Sequence, residues 1–337
     1  LWLSDAPRHS VDEAIPDFDR AFQNFFAKRT DIPQFKRKGK SADSFRYPDQ
    51  KQIKVVRENG RISLPKLGWL RYRDSRTVLG EVRNVTVSSK CGKWFVPILT
   101  KREVDQPVPH GPAVGVDVGI TRFATMSEGT FIAPLASFKK HEQRLAKYQR
   151  RMSSKTTFSN SWKRAKARVQ RIHARIANAR GDFLHQAFTT ISKNRAMVCI
   201  EDLQVLNMSK SAAGTADAPG TKVAQKRGRY KATLEQGWFE FRRQFEYKMA
   251  WRGGYLVAVP AAYTRQMSSS YGHVSKENRK TQALFACVLC GYSNNADHVG
   301  AINVLERGQR LFACGGMAQS GRPSKQEPTE VTQAIPA

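Results

Sequence analysis

An acid stands inside a segment otherwise suited only to a protein interior, Val114-Gly-Val-Asp-Val-Gly119. A β-branched run bounded by Pro112 and Gly119 predicts a buried strand over Ala113–Val118. A carboxylate cannot stay ionised in an apolar core without a partner, so Asp117 needs a turn, a strand end or cations beside it. Two more acids have comparable settings. Glu201 closes the apolar run Ala196-Met-Val-Cys-Ile-Glu201, and Asp297 opens a helical pattern in Asn295-Ala-Asp-His-Val-Gly-Ala-Ile-Asn303. Singly, each has an ordinary reading: Asp117 a turn former, Glu201 a cap beside the loop acid Asp202, Asp297 a helix N-terminal acid that suits the dipole. Together, their order over strand, strand and helix suits carboxylates that converge on two Mg²⁺ ions about 4 Å apart, the arrangement that hydrolyses phosphodiesters.

The charge balance points to the same substrate. Lys and Arg number 57 against 28 Asp and Glu, a net +29. Such an excess gathers polyanions and supplies the phosphate neutralisation that drives nucleic-acid binding. A ribosomal-type basic protein or a binder of anionic membranes is the competing class. Residues 139–180 carry fourteen Lys and Arg against the single acid Glu142. A solvated helix face normally mixes signs, so this excess favours a surface that grips a nucleic-acid backbone. Lys139, Lys140, Arg150, Arg151, Lys163, Arg164, Arg168, Arg171 and Arg175 are the candidates there, with Lys36, Arg37 and Lys38 in an earlier basic loop. No apolar run approaches the ~18 residues of a membrane span, so no membrane partner is expected. Five scattered cysteines suit a reducing cytoplasm.

Texture divides the chain. An amphipathic helix is predicted over 11–29, striped by Ile15, Phe18, Phe22, Phe25 and Phe26. Short alternating segments follow, Arg61–Leu64, Trp69–Arg73, Val82–Ser88 and Trp94–Leu99, punctuated by glycine turns; they predict an antiparallel β unit shaped as a small barrel. Gln106-Pro-Val-Pro-His-Gly-Pro112 reads as a linker. Beyond it the pattern is α/β. Arg122–Met126 pairs back on the first strand, 136–191 is helical in two arms, and Ala196–Glu201 is a strand. Residues 207–230 read as a mobile loop, Leu234–Met249 as one helix, and Tyr255–Val259 as a strand. An insert over 264–291 leads to a last helix from about Ala296, and the tail from Gly315 is expected to be disordered.

The segments VGVDVGITRFAT (114–125), VCIEDLQVLNMSKS (198–211), LEQGWFEFRRQFEYKMAWRGG (234–254), GHVSKENRKTQALFACVLCG (272–291) and NADHVGAINVLERG (295–308) carry a resemblance. So do DSFRYP (43–48), LPKLGWLRYR (64–73) and CGKWFVPI (91–98). The sequence resembles the TnpB (OrfB-type) proteins of insertion sequences, RNA-guided nucleases related to type V CRISPR effectors. The resemblance implies an α/β RNase H-like (RuvC) nuclease domain over 111–263 plus 292–312, with Asp117, Glu201 and Asp297 as catalytic and Mg²⁺-binding positions. It implies a wedge-like β-barrel over 34–110 and a remnant of a helical recognition lobe over 1–33. It also implies upstream residues completing that barrel and lobe, so a partial or truncated chain is expected. The insert at 264–291 would be a target nucleic-acid-binding zinc ribbon, and 313–337 a disordered tail.

That ribbon normally carries two CxxC pairs, four thiolates around one Zn²⁺. Here Cys287-Val-Leu-Cys290 is kept, but Ser268-Ser-Ser-Tyr271 stands at the first pair. Cys287 and Cys290 remain zinc candidates, with His273 a weak third; His298 would have to turn away from the catalytic helix to supply another ligand. A degenerate site is therefore expected, with 264–291 less ordered than in the family. The function implied is a transposon-encoded, transposase-annotated, RNA-guided DNA endonuclease in the prokaryotic cytoplasm, associated with the nucleoid. Its partners would be a guide RNA from the transposon end, a double-stranded DNA target and a separate transposase. The alternative is a cleavage-impaired RNA-guided DNA-binding protein, or a decayed transposon copy.

Overall fold

The division of the chain falls at the start of the proline-rich linker, giving units Leu1–Asp105 and Gln106–Ala337. The computed structural model describes residues 7–35, 37, 43–75, 77–105, 107–208 and 221–314. Lys36, Lys38 and the tail from Gly315 lie outside them.

In the first unit the predicted single helix is two, α1 (Arg8–Asp12) and α2 (Ala14–Phe26). Pro16 lacks the N–H that would continue the ladder from α1, so the helix restarts around it. Seven strands follow: β1 (Ser44–Tyr47), β2 (Lys54–Val56), β3 (Arg61–Leu64), β4 (Gly68–Arg71), β5 (Glu81–Lys90), β6 (Lys93–Phe95) and β7 (Ile98–Lys101). β5 is the hub, pairing antiparallel with β1, β6 and β7, while β2-β3-β4 is a separate meander. Among the described residues no ladder joins the two sheets, so the expected barrel is an arrangement of two sheets. Tyr47, Ile53, Ile62, Leu64, Val85 and Val87 form their common core. The strand expected over Trp94–Leu99 breaks into β6 and β7 at Pro97, which has no N–H to give a ladder.

The second unit is built on a five-stranded sheet. β8 (Ala113–Val118), β9 (Ala124–Met126) and β10 (Phe131–Ile132) are successive antiparallel neighbours; β11 (Met197–Glu201) and β12 (Tyr255–Val259) add in parallel on the other side of β8. The order is β10-β9-β8-β11-β12. α3 (Ser137–Ser153) and α4 (Asn160–Ser192) form the two basic arms, sharing a small core of Leu145, Val169, Ile172 and Ile176.

The loop expected over 207–230 takes in the end of α5 (Val205–Met208) and the start of α6 (Val223–Gln236), with 209–220 outside the described residues. Its Ala, Gln, Lys and Arg are good helix formers, so polarity alone misled the reading. The single helix expected over Leu234–Met249 is broken at Gly237, whose φ of +70° suits glycine, before α7 (Trp238–Trp251). The insert contributes β13 (Leu284–Ala286), which pairs with β14 (Ser293–Asn295) just beyond it, and α8 (Ala296–Ala313) closes the fold.

Strand alternation decides what faces what. Val114, Val116, Val118, Val198 and Ile200 pack toward α4 and α7, on Phe188, Phe241 and Phe245. Met197 and Cys199 pack on the opposite face with Val304 of α8. Period two therefore turns Gly115, Asp117 and Glu201 to the α8 side.

Candidate active site

β8 and β11 run parallel with Val116 opposite Ile200, so Asp117 and Glu201 come one residue later, side by side at the carboxyl ends of their strands. They are 2% and 7% exposed. α8 brings the third acid. Asn295 caps it, its Oδ1 accepting from the backbone N–H of Asp297 (3.1 Å) and His298 (3.4 Å). Asp297 thus lies in the first turn, over the sheet end. The helix can lie this low because of two glycines: a Cβ at Gly115 would stand 2.1 Å from the Ala301 carbonyl, and one at Gly300 2.8 Å from Asp117 Oδ2. Glu201 and Asp297 share the wall of a cleft of about 350 Å³ with Thr264, Arg265, Arg279 and Gln282.

Burial pushes the Asp117 carboxyl up to about 7; the Arg265 guanidinium opposes this, while Glu201 and Asp297 add to it. The structure therefore brings the three predicted acids within electrostatic reach of one another. Arg265 grips Asp117 with both prongs, Nη2 to Oδ1 at 2.5 Å and Nε to Oδ2 at 2.9 Å. Thr264 donates to Glu201 Oε1 at 2.6 Å. Carboxylate oxygens of this kind are the donors a hard divalent cation takes, and their crowding at a buried point is costly without positive charge. The donor set fits Mg²⁺ in chemistry. Its arrangement is closed, since among the described residues no three His, Cys, Asp or Glu side chains stand ready to enclose an ion. The positive charge beside Asp117 belongs to Arg265.

The insert repeats one turn twice. Ser268 N donates to His273 O (2.9 Å) and Gly272 N to Ser268 O (2.7 Å), just as Cys287 N donates to Tyr292 O (2.8 Å) and Gly291 N to Cys287 O (3.0 Å). Ser268 and Tyr271 thus occupy the counterparts of Cys287 and Cys290. Ser268 Oγ lies 3.7 Å from Cys290 Sγ. Backbone N–H groups, that of Cys290 first, bring the Cys287 thiol down to about 6. His273 Nδ1 is buried without a partner among the described residues. His298 is turned to the Ser127 carbonyl (Nε2 to O, 3.1 Å). Two thiols and a hydroxyl do not meet the four-ligand demand of structural zinc. Asn278 crosslinks the turns instead, donating to Gln266 O (2.8 Å) and His273 O (3.1 Å) and accepting from Val288 N (2.9 Å).

The basic candidates are spread along the arms: Lys139, Lys140, Arg150 and Arg151 on α3, and Lys163, Arg164, Arg168, Arg171 and Arg175 on α4, every one exposed. Arg151 and Arg168 flank the Tyr148 ring. Arg37 is exposed in the first unit.

Residues 86–212 match the family model OrfB_IS605, described as "Probable transposase", and residues 238–304 match "Cas12f1-like, TNB domain". Over 334 residues, 99% of this chain and 82% of the relative, the sequence is 52% identical to "Putative RNA-guided DNA endonuclease InsQ" of Escherichia coli (strain K12). The chain belongs to the TnpB (OrfB-type) family. A second relative, "Putative RNA-guided DNA endonuclease" of Streptomyces pristinaespiralis, is 33% identical over 99% of this chain and 82% of its own. Among solved structures, the Cas12f1-sgRNA-target DNA complex aligns with a TM-score of 0.46 at 12% identity, covering 84% of this chain and 67% of that one.

For this TnpB-type chain, sequence reasoning missed Thr264, Arg265 and Gly300. One signal could have found the first two. β12 ends at Val259 beside Glu201, so residues soon after it emerge at the acid end of the sheet.

Proposed function

We propose that this protein is a transposon-encoded, RNA-guided DNA endonuclease of RuvC type, cutting DNA at Asp117, Glu201 and Asp297. The observation that carries the reading is the convergence of these three acids, two of them buried, at one end of the sheet. The strand order β10-β9-β8-β11-β12, antiparallel then parallel, supports an RNase H-like domain. The relatives' names support the guide and the DNA target. Two Mg²⁺ ions, when bound by the triad, supply an activated water and charge stabilisation at the leaving oxygen. The chain's own residues do the rest. Asp117 must shed its proton to serve as a ligand, and Thr264 fixes the Glu201 carboxylate. The exposed Lys and Arg of α3 and α4 take backbone phosphates, in the way that positions a duplex without reading its sequence. Guide pairing reads sequence, and the first unit serves as wedge and recognition remnant. Transposition itself is assigned to a separate transposase. No helix of the described residues is long and apolar enough to cross a membrane.

The grip of Arg265 on Asp117 favours one second reading, a protein that engages RNA and DNA but cuts poorly. Co-expression with the flanking transposon DNA separates the two. The first reading expects a co-purifying RNA and Mg²⁺-dependent cleavage of a DNA target matched to it; the second expects the RNA and target binding without cleavage. Neither RNA nor target binding would sink both.

A further inference from the structure

The segment leaving β12 places neighbouring side chains on the two strand-borne acids. Thr264 holds Glu201, and Arg265 holds both oxygens of Asp117 while also donating to the Val118 carbonyl at 2.8 Å. α8 builds a seat for this contact. A Cβ at residue 300 would meet Asp117 Oδ2 at 2.8 Å and Arg265 Cγ at 3.2 Å, so only glycine there leaves both side chains their places. One turn on, Asn303, fully buried, donates Nδ2 to the carbonyls of Thr264 (2.7 Å) and Met267 (2.8 Å). Strand, insert and helix thus cooperate in one contact, which is more than a chance surface ion pair.

We propose that Arg265 is a positioning residue that latches the carboxylates against divalent metal, and that a nucleic-acid phosphate entering the cleft opens the latch. The inference rests on the reading of the acids as metal ligands. A carboxylate in a guanidinium fork has the lone pair of each oxygen on that side engaged, so the fork covers the edge a cation would chelate, and its fixed positive charge repels a dication at short range. The same fork fits a phosphate as well as it fits a carboxylate. Arg265 lines the cleft with Arg279 and Gln282 of the same insert, so a strand lying there meets the latch directly. Phosphate takes the guanidinium, Asp117 is freed, and metal enters only when substrate is present. An idle particle in this state holds no assembled nuclease.

The test uses the full chain and Mn²⁺ as probe, with free Mn²⁺ read by electron paramagnetic resonance, at one pH and salt. Arg265→Gln is expected to bind Mn²⁺ about tenfold more tightly than wild type, and Arg265→Lys, which keeps the charge but loses the fork, a few-fold more tightly. A single-stranded phosphorothioate oligonucleotide should tighten Mn²⁺ binding in wild type and add little in Arg265→Gln. Adding Asp117→Ala to Arg265→Gln should abolish the gain. If both Arg265 variants bind Mn²⁺ no better than wild type, while Asp117→Ala still removes the wild-type site, the latch is wrong and the carboxylate reading survives. If Mn²⁺ binding is indifferent to Asp117 in every background, the carboxylate reading fails and takes the latch with it.

Discussion

Asp117 pairs two opposed demands: burial disfavours its charge, while the arginine in front of it favours the ionised form. Burial wins, so between its ordinary value of 3.8 and about 7 the folded state holds a proton that the unfolded chain has lost. Stability must therefore fall as pH rises through that window and level off above it, by on the order of a few kcal/mol. Asp117→Asn should remove this fall, which urea titrations between pH 4.5 and 8 would detect as a flatter profile. Proton and cation compete for the same oxygens, so Mn²⁺ binding by the full chain should weaken as pH drops through this window; an affinity that stays level down to pH 5 would contradict it. At this scale the three acids were legible because strand alternation and a helix start expose them in the sequence. Arg265 was not. Its one signal is its place soon after β12, and its partner lies 148 residues away along the chain.

Elements were legible where periodicity and punctuation agreed. β8, β12 and the start of α8 fall where the pattern put them, because an apolar run between breakers leaves little choice. Three misreadings share a cause, a single residue that overrides a good period: Pro16 in the first helix, Pro97 between β6 and β7, Gly237 between α6 and α7. The barrel was misjudged for another reason, since which strand edges meet is a tertiary fact that alternation does not encode. The insert yields the prediction belonging to this scale. Asn278 is fully buried and joins both turns. Asn278→Ala should cost about 2–3 kcal/mol, from lost hydrogen bonds and stranded backbone groups. A chelator should leave the thermal midpoint of wild type unchanged, and metal analysis should find well under one zinc per chain. One tightly held zinc per chain would overturn the account of the insert as a hydrogen-bonded clasp.

For the whole molecule, the net charge of +29 becomes a surface once the arms α3 and α4 present their Lys and Arg to solvent. If these grip phosphates, replacing Lys163, Arg164, Arg168 and Arg171 by Gln should lower the slope of log affinity against log salt. The expected change is about 0.7–0.9 for each residue that touches a phosphate. An unchanged slope would remove the arms from the nucleic-acid interface. The central claim is that a basic TnpB-type chain cuts DNA at the three acids, and one comparison reaches it most directly. Guide-loaded particles of wild type and Asp117→Ala would be given a matched DNA target in Mg²⁺, with bound RNA measured in parallel. The account predicts that the variant loses cleavage by a factor of about a thousand or more while keeping its RNA. Cleavage at the wild-type rate by Asp117→Ala would contradict it.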